Sequence, residues 1–175
     1  MAATQVTDPI SPATRERFYK AIIGEQNQDY YLTYFQRADE RGYPPISWHW
    51  PVLFFGVLWF VYRRMYRWAI GSFLLPYVLQ VVTAALERFA PGVGRMLFWI
   101  VIVGFYAVWL PLVANGLYYK QGSRMIRIAR LLQPDDEAEQ YRLISGRGGV
   151  HKQLPFVLLG FFTLLSMLMS LAGKG

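Results

Sequence analysis

The sequence predicts an all-α membrane protein. It has three transmembrane helices, a short aromatic helix that is re-entrant or interfacial, and a helical cytoplasmic N-terminal region. The chain has 175 residues, of which 54% are hydrophobic. These are concentrated in four dense blocks instead of being spaced along amphipathic helices. Three of the blocks reach the length of about 20 residues that a helix needs to cross a bilayer.

The three long apolar blocks cover residues 68–86, 96–118 and 154–172. As helices they extend about 28, 34 and 28 Å, close to the hydrocarbon thickness of about 30 Å. None contains Asp, Glu, Lys, Arg or His. Pro76 and Pro111 lie inside the first and second blocks and predict local kinks. Residues 68–175 are therefore assigned to a three-helix transmembrane domain with a cytoplasmic loop at 119–153.

The fourth apolar block, segment A, comprises residues 50–62. A single helix of this length covers only about 20 Å, which is too short for a comfortable crossing. Pro51 suits its first turn, and three arginines end it: Arg63, Arg64 and Arg67. We interpret residues 48–67 as a re-entrant or interfacial helix followed by a basic turn, with a tilted or thinned span as the alternative.

The region before segment A, residues 1–47, is polar and predicts two helices. The pair at positions 11–12, Ser followed by Pro, is typical of a helix start, and Gly24 of a helix end. A second helix is expected from near Asn27 to Gly42. One broad face of it is aromatic or apolar: Tyr30, Tyr31, Tyr34, Phe35 and Ala38. Such a face packs on the rest of the protein, on headgroups or on a partner.

The loop between the second and third spans carries its own structure. The second helix is expected to continue beyond the membrane through Leu132, because apolar residues recur there at helical spacing. The acidic run at 134–137 predicts the start of a further helix, and the glycines at 146–149 predict its end.

The distribution of basic residues predicts the orientation. With segment A on the cytoplasmic side, fifteen Lys and Arg residues face the cytoplasm and three face the other side. If segment A crossed, the five N-terminal basic residues would change sides and weaken this bias. The N-terminus is therefore expected in the cytoplasm and the C-terminus outside.

Several classes of function lack support in the sequence. There is no cysteine, so disulfides and thiolate metal sites are excluded. His49 and His151 are the only histidines, and no further ligands are marked by spacing, so no metal or cofactor is expected. The glycine-rich run before His151 lacks phosphate-loop spacing. The net charge is +7, and the basic residues cluster at the edges of the apolar blocks. This placement is typical of a membrane protein and argues against nucleic-acid binding. We therefore expect a protein that is not an enzyme.

The aromatic and basic residues around the predicted cytoplasmic headgroup layer are the candidate contacts with lipids or a partner. They are Trp48, His49, Trp50, Trp59, Tyr62, Arg63, Arg64, Tyr66, Arg67, Asn115, Tyr118, Tyr119, Lys120, Arg124 and Arg127. Each cation near anionic lipid is worth about 1 kcal/mol. Basic residues that only orient the protein would show the same pattern, so both interpretations stay open. Asn115 is expected to hold segment A or the first span against the second.

An ordered set of motifs resembles a known family. The motifs are Tyr30-Tyr31-Leu32, Ser47-Trp48-His49-Trp50, Phe54-Phe55-Gly56, Trp59, the run from Tyr62 to Tyr66, Ala114-Asn115 and Leu117-Tyr118-Tyr119. Over about residues 28–130 the chain resembles the small bacterial membrane proteins of the domain-of-unknown-function family numbered 2628. The resemblance implies this architecture and a bacterial inner-membrane location, and it implies no reaction. With the orientation expected from the basic residues, the C-terminus would be periplasmic.

Two functions follow as hypotheses. The first is an accessory or scaffold subunit that binds membrane lipids and either another membrane protein or a second copy of itself. The alternative is an oligomeric protein that handles lipids or transports small solutes, which would need a cavity lined by polar residues of the first two spans.

Overall fold

The fold was analysed in a computed structural model that describes residues 10–172. Those residues form nine α-helices and a π-helical stretch, and they contain no strand. The helices are α1 (Pro12–Ile23), α2 (Gln28–Arg41), α3 (Trp50–Phe55), α4 (Val57–Tyr62), α5 (Tyr66–Glu87), α6 (Val93–Val103), α7 (Leu110–Leu132), α8 (Glu137–Arg147) and α9 (Leu154–Ala172). The predicted all-α class is confirmed. The predicted cytoplasmic N-terminus and the C-terminal tail lie outside the described residues.

Within residues 10–172, three helices are long and apolar enough to cross a membrane, as the sequence predicts. They are Tyr66–Glu87, Val93–Leu132 and Leu154–Ala172. The second has 40 residues, because α6 and α7 are joined without a break by the π-helical stretch Gly104–Trp109. It continues through Leu132, as expected, and therefore projects well beyond a bilayer.

The two prolines inside the spans have different outcomes. Pro76 lies within α5, which runs on without interruption. Pro111 lies at the start of α7, directly after the π-helical stretch. A proline has no N–H to donate, and its ring crowds the carbonyl four residues earlier. The wider π-helical turn ahead of Pro111 accommodates both effects. The departure of the second span from regular α-helix therefore lies directly before this proline.

The first two spans form a close antiparallel hairpin. Oε1 of Glu87 accepts a hydrogen bond from Gly92 N (2.6 Å), and Oε2 accepts one from Arg95 N (3.1 Å). The carboxylate thus satisfies amides at the positive end of α6. A Cβ at Gly94 would collide with the backbone oxygen of Thr83. Only glycine permits this approach, which is the usual role of small residues between membrane helices.

The third span, α9, is almost separate from the others. No residue of α9 is buried, and its backbone comes close only to α4. The Phe162 ring contacts the Phe73 ring of α5, with centroids 5.6 Å apart. The three spans therefore do not form a packed three-helix core, and α9 presents nearly its whole circumference to its surroundings.

A compact body of helices packs on the part of α7 that follows the membrane portion. It consists of α1, α2 and α8, and its core includes Phe18, Ile22, Phe35, Ile126 and Ile144. The predicted helix starts are confirmed: Ser11 Oγ accepts from Thr14 N (3.1 Å), and Asp136 Oδ1 accepts from Glu139 N (2.9 Å). Sequence-local capping therefore defines the starts of α1 and α8.

Segment A was predicted to be a single short helix, and this prediction is wrong. It forms two six-residue helices, α3 and α4, separated by Gly56, whose φ of 47° suits glycine. A straight helix of 13 residues would hold its ends about 20 Å apart. Instead, His49 Nε2 lies 2.8 Å from the Tyr31 hydroxyl, and the Arg63 guanidinium lies 4.2 Å from the centre of the same ring. Segment A therefore starts and ends at one place, because Gly56 reverses the chain.

Whether segment A enters the bilayer stays a prediction, and labelling tests the part of it that says segment A does not cross. Since the natural sequence has no cysteine, Ile46→Cys and Phe89→Cys each provide a single reactive site. Both positions are exposed, at 79% and 87%. A membrane-impermeant maleimide should label them from opposite sides of sealed vesicles. Labelling of both from the same side would mean that segment A crosses.

Candidate functional site

The two ends of segment A meet in a buried group of polar and aromatic side chains, which we call the Tyr31 cluster. Its members are Tyr31, His49, Trp59, Arg63 and Tyr118. All five are at most 5% exposed. The cluster joins α2, segment A and α7, which are distant in sequence, so its geometry depends on the tertiary fold.

Arg63 supplies the charge at the centre of this cluster. Its Nη1 donates to Ile23 O (3.0 Å) and its Nη2 to Gln26 O (2.9 Å). Its guanidinium also lies 5.3 Å from the centre of the Tyr118 ring. Among residues 10–172 no carboxylate forms a salt bridge with it. The carbonyl at the negative end of α1, a carbonyl of the turn after it and the faces of aromatic rings stabilise the cation instead.

His49 is neutral in this environment. Its Nδ1 accepts a hydrogen bond from Val52 N (3.3 Å), so the ring proton lies on Nε2, 2.8 Å from the Tyr31 hydroxyl. Burial, together with the nearby charge of Arg63, lowers the pKa of His49 from 6.5 to about 4. Burial also raises the pKa of Tyr31. Both ring nitrogens of His49 are therefore engaged in structural contacts.

Asn115 forms a second buried polar contact, next to the Tyr31 cluster. It is fully buried, and its Nδ2 donates to the Tyr30 hydroxyl and to Ser47 Oγ, each at 2.8 Å. Its Oδ1 is buried without a partner among the described residues. Asn115 thus holds α7 against α2 and against the connector that leads into segment A. The link to α2 was not anticipated.

The predicted contact residues separate into distinct environments. His49, Trp59, Arg63, Asn115 and Tyr118 are buried, although Trp59 and Arg63 also line an apolar cleft between segment A and α9. Four others line one cleft of about 560 Å³: Arg64, Tyr66, Arg67 and Arg124. The rest lie apart from that cleft, either exposed or half-buried: Trp48, Trp50, Tyr62, Tyr119, Lys120 and Arg127.

Sequence reasoning missed a polar group near the C-terminal end of α2. Asp39 accepts hydrogen bonds from the Tyr19 hydroxyl (2.9 Å) and the Tyr119 hydroxyl (2.6 Å), and it pairs with Arg15 at 3.3 Å. Burial beside this carboxylate raises the pKa of Tyr19. Nothing in the local pattern of α2 marks Asp39, because its partners lie on α1 and α7. Among residues 10–172, no group of three or more His, Cys, Asp or Glu residues could hold a metal ion.

A family model described as a protein of unknown function, DUF2628, matches residues 25–124. The chain belongs to the DUF2628 family. No curated protein and no solved structure matches this DUF2628 protein. The matched region runs from the residues before α2 into α7, and it includes every member of the Tyr31 cluster and Asn115. The resemblance noted in the sequence is therefore confirmed.

Replacement of Arg63 tests its structural role. Arg63→Met leaves two buried carbonyls without their charged donor, so we expect a loss of about 3 kcal/mol in the free energy of unfolding. Arg63→Lys keeps the charge but cannot reach both carbonyls, and should lose less. The exposed Arg67→Met is the control and should change stability by at most about 0.5 kcal/mol. Thermal unfolding in detergent, followed by circular dichroism, measures all three. Equal stability of the Arg63 and Arg67 variants would contradict the assignment.

The lowered pKa of His49 predicts a dependence of stability on pH. Between pH 6.5 and about 4 the unfolded state binds a proton at this position that the folded state does not. The contribution of neutral His49 to the free energy of unfolding is therefore fully present above pH 6.5. It is lost as pH falls towards 4, by an amount on the order of 3 kcal/mol.

The variant His49→Asn isolates this effect, because asparagine can still cap Val52 N but does not titrate. Its unfolding free energy should depend less on pH across this range. His151→Asn removes an exposed histidine and should keep the wild-type profile. If the two variants gave the same profile, His49 would not be the group responsible.

Proposed function

We propose that this DUF2628 protein is a non-enzymatic accessory or scaffold subunit that binds another membrane protein or a second copy of itself. The single observation that carries the proposal is α9. This helix has the length and hydropathy of a span, yet no residue of it is buried by its own chain. A helix that packs so little on its own protein is available for helix–helix association within the membrane.

The distribution of small residues on α9 supports this proposal. Four of them fall within about a third of the helix circumference. They are Gly160, Thr163, Ser166 and Ser170. Small side chains allow two membrane helices to approach closely, and lipid tails gain nothing comparable from them. This side of α9 is the surface that we expect a partner helix to cover.

The Tyr31 cluster is consistent with a protein that does not catalyse a reaction. Both nitrogens of His49 and both terminal nitrogens of Arg63 already have partners within the protein, and Arg63 Nε, which has none among the described residues, is buried. A general base or an anion-stabilising group needs a free lone pair or donor directed at a substrate. We also propose a bacterial inner-membrane location, which the family resemblance implies, with the N-terminus in the cytoplasm on the basis of the basic-residue count.

A second candidate function, the handling of lipids by an oligomer, is favoured by one specific feature. An apolar cleft of about 310 Å³ lies between segment A and the start of α9. Phe55, Leu58, Phe156 and Leu159 contribute to its walls, and Lys152 lies at its margin. A cleft of this size and composition suits part of an acyl chain with an anionic headgroup.

The proposed association through α9 is tested with bulky substitutions. Ser166→Phe/Ser170→Phe blocks the small-residue side and should weaken association by about tenfold. Leu165→Phe/Leu168→Phe adds bulk on the other side and is the matched control. Native mass spectrometry of the protein extracted from its source membrane in mild detergent measures the associated species. A monomer without co-purifying protein, or equal loss in both variants, would contradict the proposal, and retained phospholipid on a monomer would favour the second candidate.

A further inference from the structure

A cleft of about 560 Å³ lies where three parts of the chain meet, and its wall is basic. The turn between α4 and α5 contributes one arginine, and the start of α5, α7 and the end of α8 contribute one each. The polar residues that line it are Arg64, Arg67, Gln121, Arg124, Arg147 and His151. No Asp or Glu is among its lining residues. Arg147 is brought in by the fold alone, since it lies 23 positions after Arg124.

The charges in this cleft are not neutralised by the protein. Within residues 10–172, the salt bridges engage other basic residues, namely Arg15, Arg17, Lys20 and Arg142. Orientation in a membrane requires basic residues on one side, but it does not require four of them to converge on one concavity. Convergence of like charges is unfavourable unless an anion is bound between them.

Arg64 is held in position by its surroundings. Its backbone is left-handed, with φ of 57°, which is uncommon for a residue with a side chain. Gln121 Nε2 donates to its carbonyl (3.4 Å), and its own Nη1 donates to Gly146 O (3.2 Å). Its Nε is buried and has no acceptor among the described residues.

The position of the cleft suggests where its ligand comes from. Tyr66 begins the first span, and Leu154 begins the third, three residues after His151. Because the spans alternate in direction, these ends and the outer part of α7 lie on the same side of the membrane. The cleft therefore lies near the level of the headgroups on that side. A guanidinium offers parallel donors that match the oxygens of a phosphate group.

We propose that this cleft binds a phosphate group, carried by the headgroup of an anionic phospholipid or by a small phosphorylated solute. The site is separate from the apolar cleft beside α9, and the proposal does not depend on the proposed accessory function.

Calorimetric titration of the full-length protein in a neutral detergent tests the proposal with three probes. They are dioctanoyl phosphatidic acid, dioctanoylglycerol and glycerol 3-phosphate. Phosphatidic acid should bind at least about tenfold more tightly than dioctanoylglycerol, which has the same chains without the phosphate. Binding of phosphatidic acid alone identifies a lipid headgroup, and similar binding of glycerol 3-phosphate identifies a soluble phosphate ester. Equal binding of both lipids, or of none of the probes, would overturn the proposal.

Two matched variants separate the cleft from the general basic surface. Arg67→Gln/Arg124→Gln removes two exposed arginines from the cleft, and should weaken phosphatidic acid binding by about tenfold or more. Lys120→Gln/Arg127→Gln removes the same charge from exposed positions of α7 outside the cleft, and should change binding by at most about twofold. None of these four side chains forms an internal salt bridge within residues 10–172, so folding should be retained. Equal weakening by both variants would show that diffuse charge accounts for the binding.

Discussion

The buried guanidinium of Arg63 is the constraint on which the rest of this structure depends. A charge that is 2% exposed must have compensating partners, and this one finds them on three separate elements. It takes one carbonyl at the end of α1, one in the turn that follows α1, the ring of Tyr31 on α2 and the ring of Tyr118 on α7. These partners are available together only when the helical body, segment A and the second span are all in place.

The same constraint explains the chemistry of its neighbours. A cation at this position disfavours a second positive charge nearby, which helps to keep His49 neutral. A neutral ring can accept from Val52 N and still donate to Tyr31, so it caps α3 and joins it to α2. Arg63 and His49 lie at opposite ends of segment A and share Tyr31, so the closed shape of segment A and the electrostatics of the cluster support each other.

The accuracy of the sequence predictions depended on whether a feature is local. The three spans follow from the length and hydropathy of contiguous blocks, and the starts of α1 and α8 follow from caps a few residues away. The reversal at Gly56 and the burial of Arg63 depend on partners far along the chain; Ile23, for example, lies 40 positions before Arg63. Periodicity cannot reveal such partners, and a basic residue after an apolar block has the same pattern whether it faces headgroups or the interior. The basic cleft was foreseen only in part, since Arg147 is placed there by the packing of α8.

The length of the second span has a mechanical consequence. Its 40 residues correspond to about 60 Å, and only about half of that matches a hydrocarbon layer. Its outer half is fixed to the helical body by Asn115 and Tyr118, so a rigid rod would transmit every change of tilt to that body. A tilt of about 10° at the π-helical stretch would displace the end of α7 by about 7 Å. Bending at Gly104–Trp109 would let the part of the span before it follow a thinner or thicker bilayer while the contacts of Arg63 and Asn115 stay intact.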